Sequence, residues 1–571
     1  MAAHRPKTRL QTQSEHLSLP QLPDSCLSHI LALAAEGVPW KERCRLGEVC
    51  RAFRTLFAAQ AFASGPLCIN LNTLSWRLME RKRRAAARAQ LLAAVSTYAP
   101  SVRHLALRYQ LDRTTGLTLA ALLAPLAPHV RKLQVEDGLC STLLEALGSG
   151  AWTSLQSVAL TGCNLWIDLE PGELATLENQ LAALPDVTSK ITKFECSCQG
   201  MQEGGEFFFR HLTALHSLEL EDWAAWDLPR DYAPLRAMPH LTRLVLNIVE
   251  DLQANFENIR GLTQVSELTL LGCYRAARGL AQLTNLTMLD LQPVEEEADG
   301  DEAAPAAAAA WKASSLTELR WCGDLVFDGG EAPIRLPRLL ALEIDEAYFP
   351  PSGLPTELCT SLTQLTSLRL VGGRPVRLPP AISSLRQLQV LAIDSCQMPV
   401  VPPAVSALTA VTNLMLSNTG LGPTLPAWVI HLPVRKLWVA NNRLQGLLPD
   451  RGPGKAVAFA ARKQAWLGRL THVCLSSNAL QEVPPALLEH GTSLQELDMA
   501  YNHQLQVNAK TAALLQRLPS LRLLRLEKSY WLRLEDRWSR ASRQAIAGLA
   551  KNRPDMQIDY QHLAGGLRMT W

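Results

Sequence analysis

Apolar residues recur along most of the chain with the spacing L-x-x-L-x-L, starting near residue 101. Clear copies begin at Leu215, Leu241, Leu286 and Leu365. The fourth and sixth positions of each copy alternate with polar residues, and this period of two predicts a β-strand with one buried face. Weaker copies use Val, Ile or Phe. Seventeen copies have their first positions at 102, 130, 155, 191, 215, 241, 265, 286, 316, 339, 365, 388, 411, 434, 470, 494 and 521.

The copies follow each other at an average of about 26 residues, and those that begin at 388, 411 and 434 are 23 residues apart. One such strand cannot bury its apolar side alone, whereas stacked copies can. This period and motif resemble those of the leucine-rich repeat family over about three quarters of the chain. The resemblance implies an α/β fold, a horseshoe-shaped solenoid of about 17 repeats with a parallel concave sheet.

The ninth position of the motif carries a second signature, which is Asn or Cys. A buried Asn side chain can satisfy backbone N–H and C=O groups where the chain leaves the strand. Cysteine fills the same position as a small apolar residue with a weak donor. The residues at this position are Cys163, Cys273, Cys396, Asn442, Asn478 and Asn502.

The segments that return from one strand to the next are of two kinds. Between about 375 and 500 they contain proline, which opposes a full helix and favours an extended or short-turn path. Elsewhere they have helical patterns, as in 117–130 and 510–521. Two longer insertions are an acidic and alanine-rich loop at 293–312 and a basic stretch at 446–468 that is compatible with a short helix.

A different pattern precedes the repeats. Segment 17–60 is typical of short amphipathic helices, with Leu22-Pro23-Asp24 at a helix start and Val49-Cys50-Arg51 near its end. These elements resemble the F-box, whose motif has the form L-P-x-x-L…I-L…V-C-R. The stretch between Ile30 and Val49 is about four residues longer than usual in that family. The docking face that the resemblance implies consists of Leu22, Pro23, Leu27, Ile30, Leu31, Val49 and Phe53.

The F-box resemblance implies a function. F-box proteins with leucine-rich repeats bind a Skp-type adaptor, and through it a cullin–RING ubiquitin ligase, while their repeats hold a protein substrate for ubiquitin-dependent catabolism. The chain would then be a substrate-recognition subunit and a monomer within that complex. Two alternatives stay open: segment 17–60 only caps the open edge of the solenoid, or the chain is a repeat scaffold without a ligase, such as a cytoskeletal, axonemal or signalling adaptor.

The predicted concave face is where a protein partner would bind, because strand positions three, five and seven point to it. Acidic side chains there would attract a partner with basic groups. Trp438 occupies position five, and tryptophan is enriched at interface hot spots, although packing on Lys436 explains it equally well. The candidate partner-binding residues are Glu195, Glu219, Glu221, Glu343, Asp345, Arg369, Lys436 and Trp438.

Composition narrows the classes of protein to which the chain could belong. The 571 residues are 47% hydrophobic and carry a formal charge of +3, so no global field favours nucleic acid. Thirteen cysteines contain no CxxC pair, which argues against structural zinc and a disulfide scaffold. No signal-like segment or run of about 18 apolar residues occurs. We therefore expect a cytoplasmic or nuclear protein, with the cytoskeleton or cilium axoneme as the alternative location.

Catalytic motifs are missing from the sequence. It contains no GxSxG, HExxH or P-loop. We therefore expect no enzyme activity, no cofactor and no metal. The expected layout is a disordered tail (1–16), an F-box-like helical domain (17–60), a helical linker (61–100), the repeats (101–535) and a C-terminal cap (536–571).

Overall fold

The computed structural model describes residues 67–70, 89, 92–93, 95–108, 122–136, 147–148, 151–161, 179–197, 210–223, 235, 238–248, 261–271, 283–292, 314–322, 336–345, 353–372, 376–449, 456–528 and 538–559. The F-box-like segment 17–60 and the acidic loop 293–312 lie outside these residues. The chain divides into two compact units, which are described separately. They are Met1–Pro229 with Ala237–Leu241, and Arg230–Arg236 with Thr242–Trp571.

In the first unit, each described strand pairs in parallel with the next one along the chain. The register aligns equivalent motif positions, so that Leu105, Leu133 and Val158 lie side by side. The strands are β1 (Leu67–Asn70), β2 (His104–Arg108), β3 (Lys132–Glu136), β4 (Ser157–Thr161), β5 (Lys193–Ser197) and β6 (Ser217–Trp223).

The second unit repeats this arrangement with parallel neighbours from β7 to β19. Its strands are β7 (Arg243–Ile248), β8 (Glu267–Leu271), β9 (Met288–Gln292), β10 (Glu318–Cys322), β11 (Ala341–Asp345), β12 (Ser367–Val371), β13 (Val390–Asp394), β14 (Asn413–Met415), β15 (Lys436–Trp438), β16 (His472–Cys474), β17 (Glu496–Asp498), β18 (Leu523–Arg525) and β19 (Gln557–Asp559).

The 17 predicted copies correspond one for one to β2–β18, and each strand starts two residues after the first motif position. Both units are therefore leucine-rich-repeat solenoids, which confirms the fold predicted for the repeats. The core consists of the repeated leucines; Leu365, Leu368 and Leu370, for example, are fully buried. Because burying one leucine side chain contributes about 1.5–3 kcal/mol, these stacked rows supply most of the stabilisation.

The return segments take both 3₁₀ and α-helical forms, but proline does not divide them as predicted. Pro379, Pro402 and Pro426 each stand immediately before a 3₁₀ helix, where a missing N–H costs nothing. Pro484 instead stands immediately before the α-helix Pro485–His490, because proline is tolerated at the start of a helix. These 3₁₀ helices, with one more near the N-terminus, are Ala99–Ser101, Pro380–Ser384, Pro403–Ala407 and Ala427–His431. The α-helices whose bounds fall within the described residues are α1 (Pro185–Thr188), α2 (Thr356–Ser361), α3 (Ala456–Leu467), α4 (Pro485–His490), α5 (Ala509–Gln516) and α6 (Arg540–Asn552).

Two predicted helical stretches are present. Helix α3 lies inside the 446–468 insertion and buries Phe459, Trp466 and Leu467. Helix α5 lies in the 510–521 return segment, and the Asn508 side chain caps its start by accepting a hydrogen bond from the Thr511 N–H at 2.8 Å.

Asparagine at the ninth motif position satisfies the backbone where the strands end, as predicted. Asn478 is 8% exposed, and its Oδ1 accepts a hydrogen bond from the Leu444 N–H at 3.0 Å. Its Nδ2 donates to the carbonyl oxygens of Val439, Leu475 and Ser476 at 2.9, 3.0 and 3.1 Å. Equivalent contacts are made by Asn442 and Asn502.

Cys396 takes the same ninth position in its repeat. Its Sγ donates to the carbonyl oxygen of Asp394 at 3.2 Å and to that of Leu370 at 3.7 Å. Burial, with a smaller contribution from the Asp394 charge, raises the pKa of this thiol to about 12. The thiol therefore stays protonated and serves as a buried apolar group, whereas Cys163 and Cys273 lie outside the described residues.

At the C-terminal end, Arg553 joins the last helix to the preceding repeat. Its guanidinium donates to the carbonyl oxygens of Gln516, Leu518 and Leu521 at 2.9–3.1 Å. Asp555 accepts from the same guanidinium at 2.9 Å, and this hydrogen bond raises the pKa of Arg553. Arg553 thus satisfies the carbonyl group of Gln516, the last residue of α5, and two carbonyl groups of the segment that follows the helix.

We predict that Arg553→Ala lowers the free energy of unfolding by about 2 kcal/mol, because three carbonyl groups lose a charged donor. Urea unfolding followed by circular dichroism measures this. Arg543→Ala, an exposed position on α6, is the matched control and should leave the midpoint unchanged. Equal midpoints for the two variants would contradict the role assigned to Arg553.

Candidate partner-binding surface

Alternate residues of each repeat strand point away from the core and form an open surface. In β11, Leu342 and Ile344 are buried while Ala341, Glu343 and Asp345 are partly exposed. The parallel register places the fifth motif positions of successive strands beside one another. We call this line the central row; in the second unit it runs through Val245, Thr269, Asp290, Arg320, Glu343, Arg369, Ala392, Met415, Trp438, Cys474, Asp498, Arg525 and Asp559.

Charges of opposite sign alternate along the central row from β9 to β12. Arg320 lies 3.9 Å from Asp290 and 3.5 Å from Asp345, measured between guanidinium nitrogen and carboxylate oxygen. Arg369 Nε lies 3.8 Å from Glu343 Oε1. The acidic residues predicted to attract a basic partner here, Glu343 and Asp345, are thus each beside an arginine. Because these pairs are partly solvated, each contributes at most about 1 kcal/mol.

In the first unit, Glu195 is held by two lysines. Its carboxylate contacts Lys193, and a second oxygen lies 3.5 Å from Lys132 Nζ. Burial acts to raise the pKa of Glu195, but the hydrogen bonds and charges of Lys193 and Lys132 outweigh it, so the pKa is below its usual value. Glu219 follows Glu195 in register on β6, while the side chain of Glu221 lies outside the described residues.

The central row changes character between β13 and β16, where it becomes apolar. Ala392, Met415 and Trp438 follow each other in register, and Met415 and Trp438 are partly exposed. Trp438 therefore points to the open surface, where its position in the motif places it. Lys436 stands two residues before it on the same face.

After Trp438 the central row forms a depression, because its next position holds the small side chain of Cys474. A shallow, open hollow of about 60 Å³ lies here, bounded by Trp438, His472, Cys474, Glu496, Asp498 and Arg525 among others. Burial raises the pKa of the Cys474 thiol, and its Sγ lies 3.2 Å from Ser476 Oγ. The floor of the hollow is therefore a neutral thiol.

Carboxylates surround the far side of the hollow. Arg525 lies between Asp498 and Asp559, with nitrogen–oxygen distances of 3.6 Å to each. At the rim, Glu496 Oε1 is 3.7 Å from His472 Nε2, and a histidine carries a charge only when it is protonated. This cluster therefore has more carboxylates than permanent cations.

The structure brings only part of the predicted site together. Lys436 and Trp438 share one face of β15, and Glu343 and Arg369 form an ion pair between β11 and β12, four and three strands earlier in the same unit. The sequence reasoning did not select His472, Cys474 or Arg525, which line the hollow beside Trp438. The leucine spacing gave the order of these strands, since the copies that begin at 434, 470, 494 and 521 are consecutive, but it did not show that these side chains line one hollow.

The described ranges hold no metal-type cluster and no membrane-type helix. No group of three or more His, Cys, Asp or Glu residues within them is arranged to hold a metal ion. In the same part of the chain, no helix is both long and apolar enough to cross a membrane.

Neither the known protein-family models nor the curated proteins include a match to this sequence. Some solved structures are similar to this chain over most of its length. A leucine-rich-repeat protein of Leptospira interrogans has 18% identity and a TM-score of 0.43, over 82% of this chain and 98% of its own. TLR13, in complex with ssRNA13, has 17% identity and a TM-score of 0.42, over 81% of this chain and 62% of its own.

A third match is the leucine-rich-repeat ectodomain of the plant membrane receptor kinase GASSHO1/SCHENGEN3 from Arabidopsis thaliana, in complex with CASPARIAN STRIP INTEGRITY FACTOR 2. It has 15% identity and a TM-score of 0.33, over 82% of this chain and 54% of its own. The fold assignment for the present chain rests on its own strand registers and buried leucine rows.

Proposed function

We propose that this chain is a substrate-recognition subunit of a cullin–RING ubiquitin ligase and holds a protein substrate on the open face of its repeats. The observation that carries the binding role is the partial exposure of Trp438 in an apolar part of the central row. A large aromatic side chain left open beside a hollow is typical of an interface anchor.

We choose the surface around Trp438 because of how the charges along the central row are paired. From β9 to β12, each acidic side chain of the central row already lies beside an arginine, so a partner would have to displace existing ion pairs. From β13 to β16 the row is apolar, and covering it removes apolar surface from water without that cost. We therefore assign the main contact to the apolar part of the row, β13–β16, and to the bordering strands β17–β19, where Arg525 alone of the central row lies beside both Asp498 and Asp559.

The ligase role rests on the sequence of segment 17–60. Leu22-Pro23-Asp24, Leu27 and Ile30-Leu31 resemble the first half of the F-box motif, with one more residue between Pro23 and Leu27, and Val49-Cys50-Arg51 resembles the second half. Such a segment would bind a Skp-type adaptor and bring the substrate close to the ubiquitin-carrying enzyme. The contribution to catalysis is then proximity, and other subunits carry out the chemistry.

We predict that the double substitution Pro23→Ala and Leu27→Ala abolishes co-purification of a Skp-type adaptor with the tagged full chain, because it removes two apolar contacts of the docking face. Quantitative mass spectrometry of the purified complex measures the adaptor. The matched control is Leu19→Ala with Pro20→Ala, which makes the same changes just before the motif.

Absence of an adaptor from the unsubstituted chain would contradict the ligase role. It would favour the alternative, a repeat scaffold that binds its partner without a ligase. Equal adaptor recovery with both double variants would show that the docking face has been assigned to the wrong residues.

A further inference from the structure

From β16 to β19, the central row carries alternating charges at every position except that of Cys474. From β9 to β12, acidic and basic side chains alternate without a gap. From β17 to β19 they alternate again as Asp498, Arg525 and Asp559, so one arginine serves two carboxylates. The next position before Asp498 is Cys474, where the alternation would require a cation.

The geometry of the hollow fits a flat guest. Cys474 forms the floor between Trp438 on one strand and Asp498 two strands away. Because neighbouring strands are about 4.8 Å apart, the two walls are separated by about 10 Å at the backbone. One planar group stacked on the indole would lie within hydrogen-bond reach of the Asp498 carboxylate.

We propose that this hollow binds an arginine side chain of the protein partner, whose guanidinium lies over Cys474, against the Trp438 ring, and donates to Asp498 and Glu496. The inference rests on the proposed function for the existence of a protein partner. It adds the chemical class of the contact, which is a basic segment with an arginine as its anchor.

Arginine fits this hollow better than lysine does. Its guanidinium is planar, stacks on aromatic faces and donates two parallel hydrogen bonds to a carboxylate, whereas the lysine ammonium is a compact and strongly hydrated charge. The neutral Cys474 thiol allows the guanidinium to lie flat on the floor. Glu496, at the rim, is exposed, and its Oε1 lies 3.7 Å from His472 Nε2.

The net negative charge of the surrounding face also favours a partner with a basic segment. Over β13–β19, the positions that point to the open surface include five carboxylates and two permanent cations. An excess of negative charge speeds the encounter with a basic segment and disfavours an acidic one. The carboxylates are Asp394, Glu496, Asp498, Glu527 and Asp559, and the cations are Lys436 and Arg525.

Three fluorescein-labelled peptides test this inference on the purified full chain: tetra-arginine, tetra-lysine and tetra-glutamate. Fluorescence anisotropy at fixed low salt gives their dissociation constants. We expect tetra-arginine to bind most tightly and tetra-glutamate not to bind. Glu496→Gln and Asp498→Asn should each weaken tetra-arginine binding about fivefold, since each removes one charged acceptor while keeping the side-chain shape.

The matched control is Glu267→Gln on β8. Glu267 has the same strand position as Glu496 and the same side-chain exposure of 48%, but it lies 3.8 Å from Arg243. This variant should bind tetra-arginine like the unsubstituted chain. Any general attraction of a basic peptide to the surface would affect Glu267→Gln and Glu496→Gln alike.

The inference is overturned if tetra-arginine binding does not depend on Glu496 and Asp498, or if tetra-glutamate binds more tightly. The peptide measurement needs no adaptor, so its failure is distinct from failure of the proposed function. A chain that retains the Skp-type adaptor but does not distinguish the three peptides would keep the ligase role and lose the arginine site.

Discussion

Asn478→Ala is expected to lower the free energy of unfolding by about 3 kcal/mol or more, because it leaves several buried backbone groups without partners. The amide of Asn478 donates to three carbonyl oxygens and accepts from the Leu444 N–H, all where the strand turns outward. Alanine can replace none of these hydrogen bonds, and water has little access, since the residue is 8% exposed.

Urea unfolding of the full chain measures this effect, and hydrogen exchange of the amides from 439 to 480 shows where it acts. Repeat proteins unfold in part independently, so exchange should rise in that stretch before the rest. Asn413→Ala is the matched control, because Asn413 lies on the open face of β14 and is partly exposed. A loss as small as that of the control would contradict the structural role of Asn478.

Trp438→Ala is expected to weaken partner binding by about 2 kcal/mol, or roughly 30-fold, because the indole is the largest apolar group on the open part of the central row. The measurement is the amount of each partner recovered with the tagged full chain, relative to the unsubstituted chain. Since Trp438 is partly exposed, its truncation should leave the circular dichroism spectrum and the unfolding midpoint nearly unchanged.

Val400→Ala serves as the control for this truncation. Val400 is 77% exposed and lies in a return segment rather than on a strand. It should bind all partners as the unsubstituted chain does. Undiminished recovery with Trp438→Ala would mean that the partner does not use the apolar part of the central row.

The strands of the repeats could be predicted because their pattern is local. Each strand carries its own apolar spacing, and the buried leucines of β12 illustrate the rule. Strands β1 and β19 were not predicted, because neither Leu67–Asn70 nor Gln557–Asp559 carries a full motif. They form by pairing with β2 and β18, which already present free backbone groups.

The candidate surface was harder to predict because its chemistry depends on neighbours that are distant in sequence. Glu343 and Asp345 were expected to form an acidic patch, but Arg369 and Arg320 come from adjacent strands. Trp438 could be singled out from its own motif position. Its relation to the carboxylates of the hollow required the register across the 446–468 insertion.

The most direct test of the central claim, that separate parts of the chain hold the adaptor and the partner, is a single comparative purification. Proteins that co-purify with the full chain are quantified for the unsubstituted form, the Pro23→Ala and Leu27→Ala form, and the Trp438→Ala form. The prediction is that the first variant loses the Skp-type adaptor and keeps the partner, while Trp438→Ala loses the partner and keeps the adaptor. Loss of both proteins, or of neither, in either variant would contradict the claim.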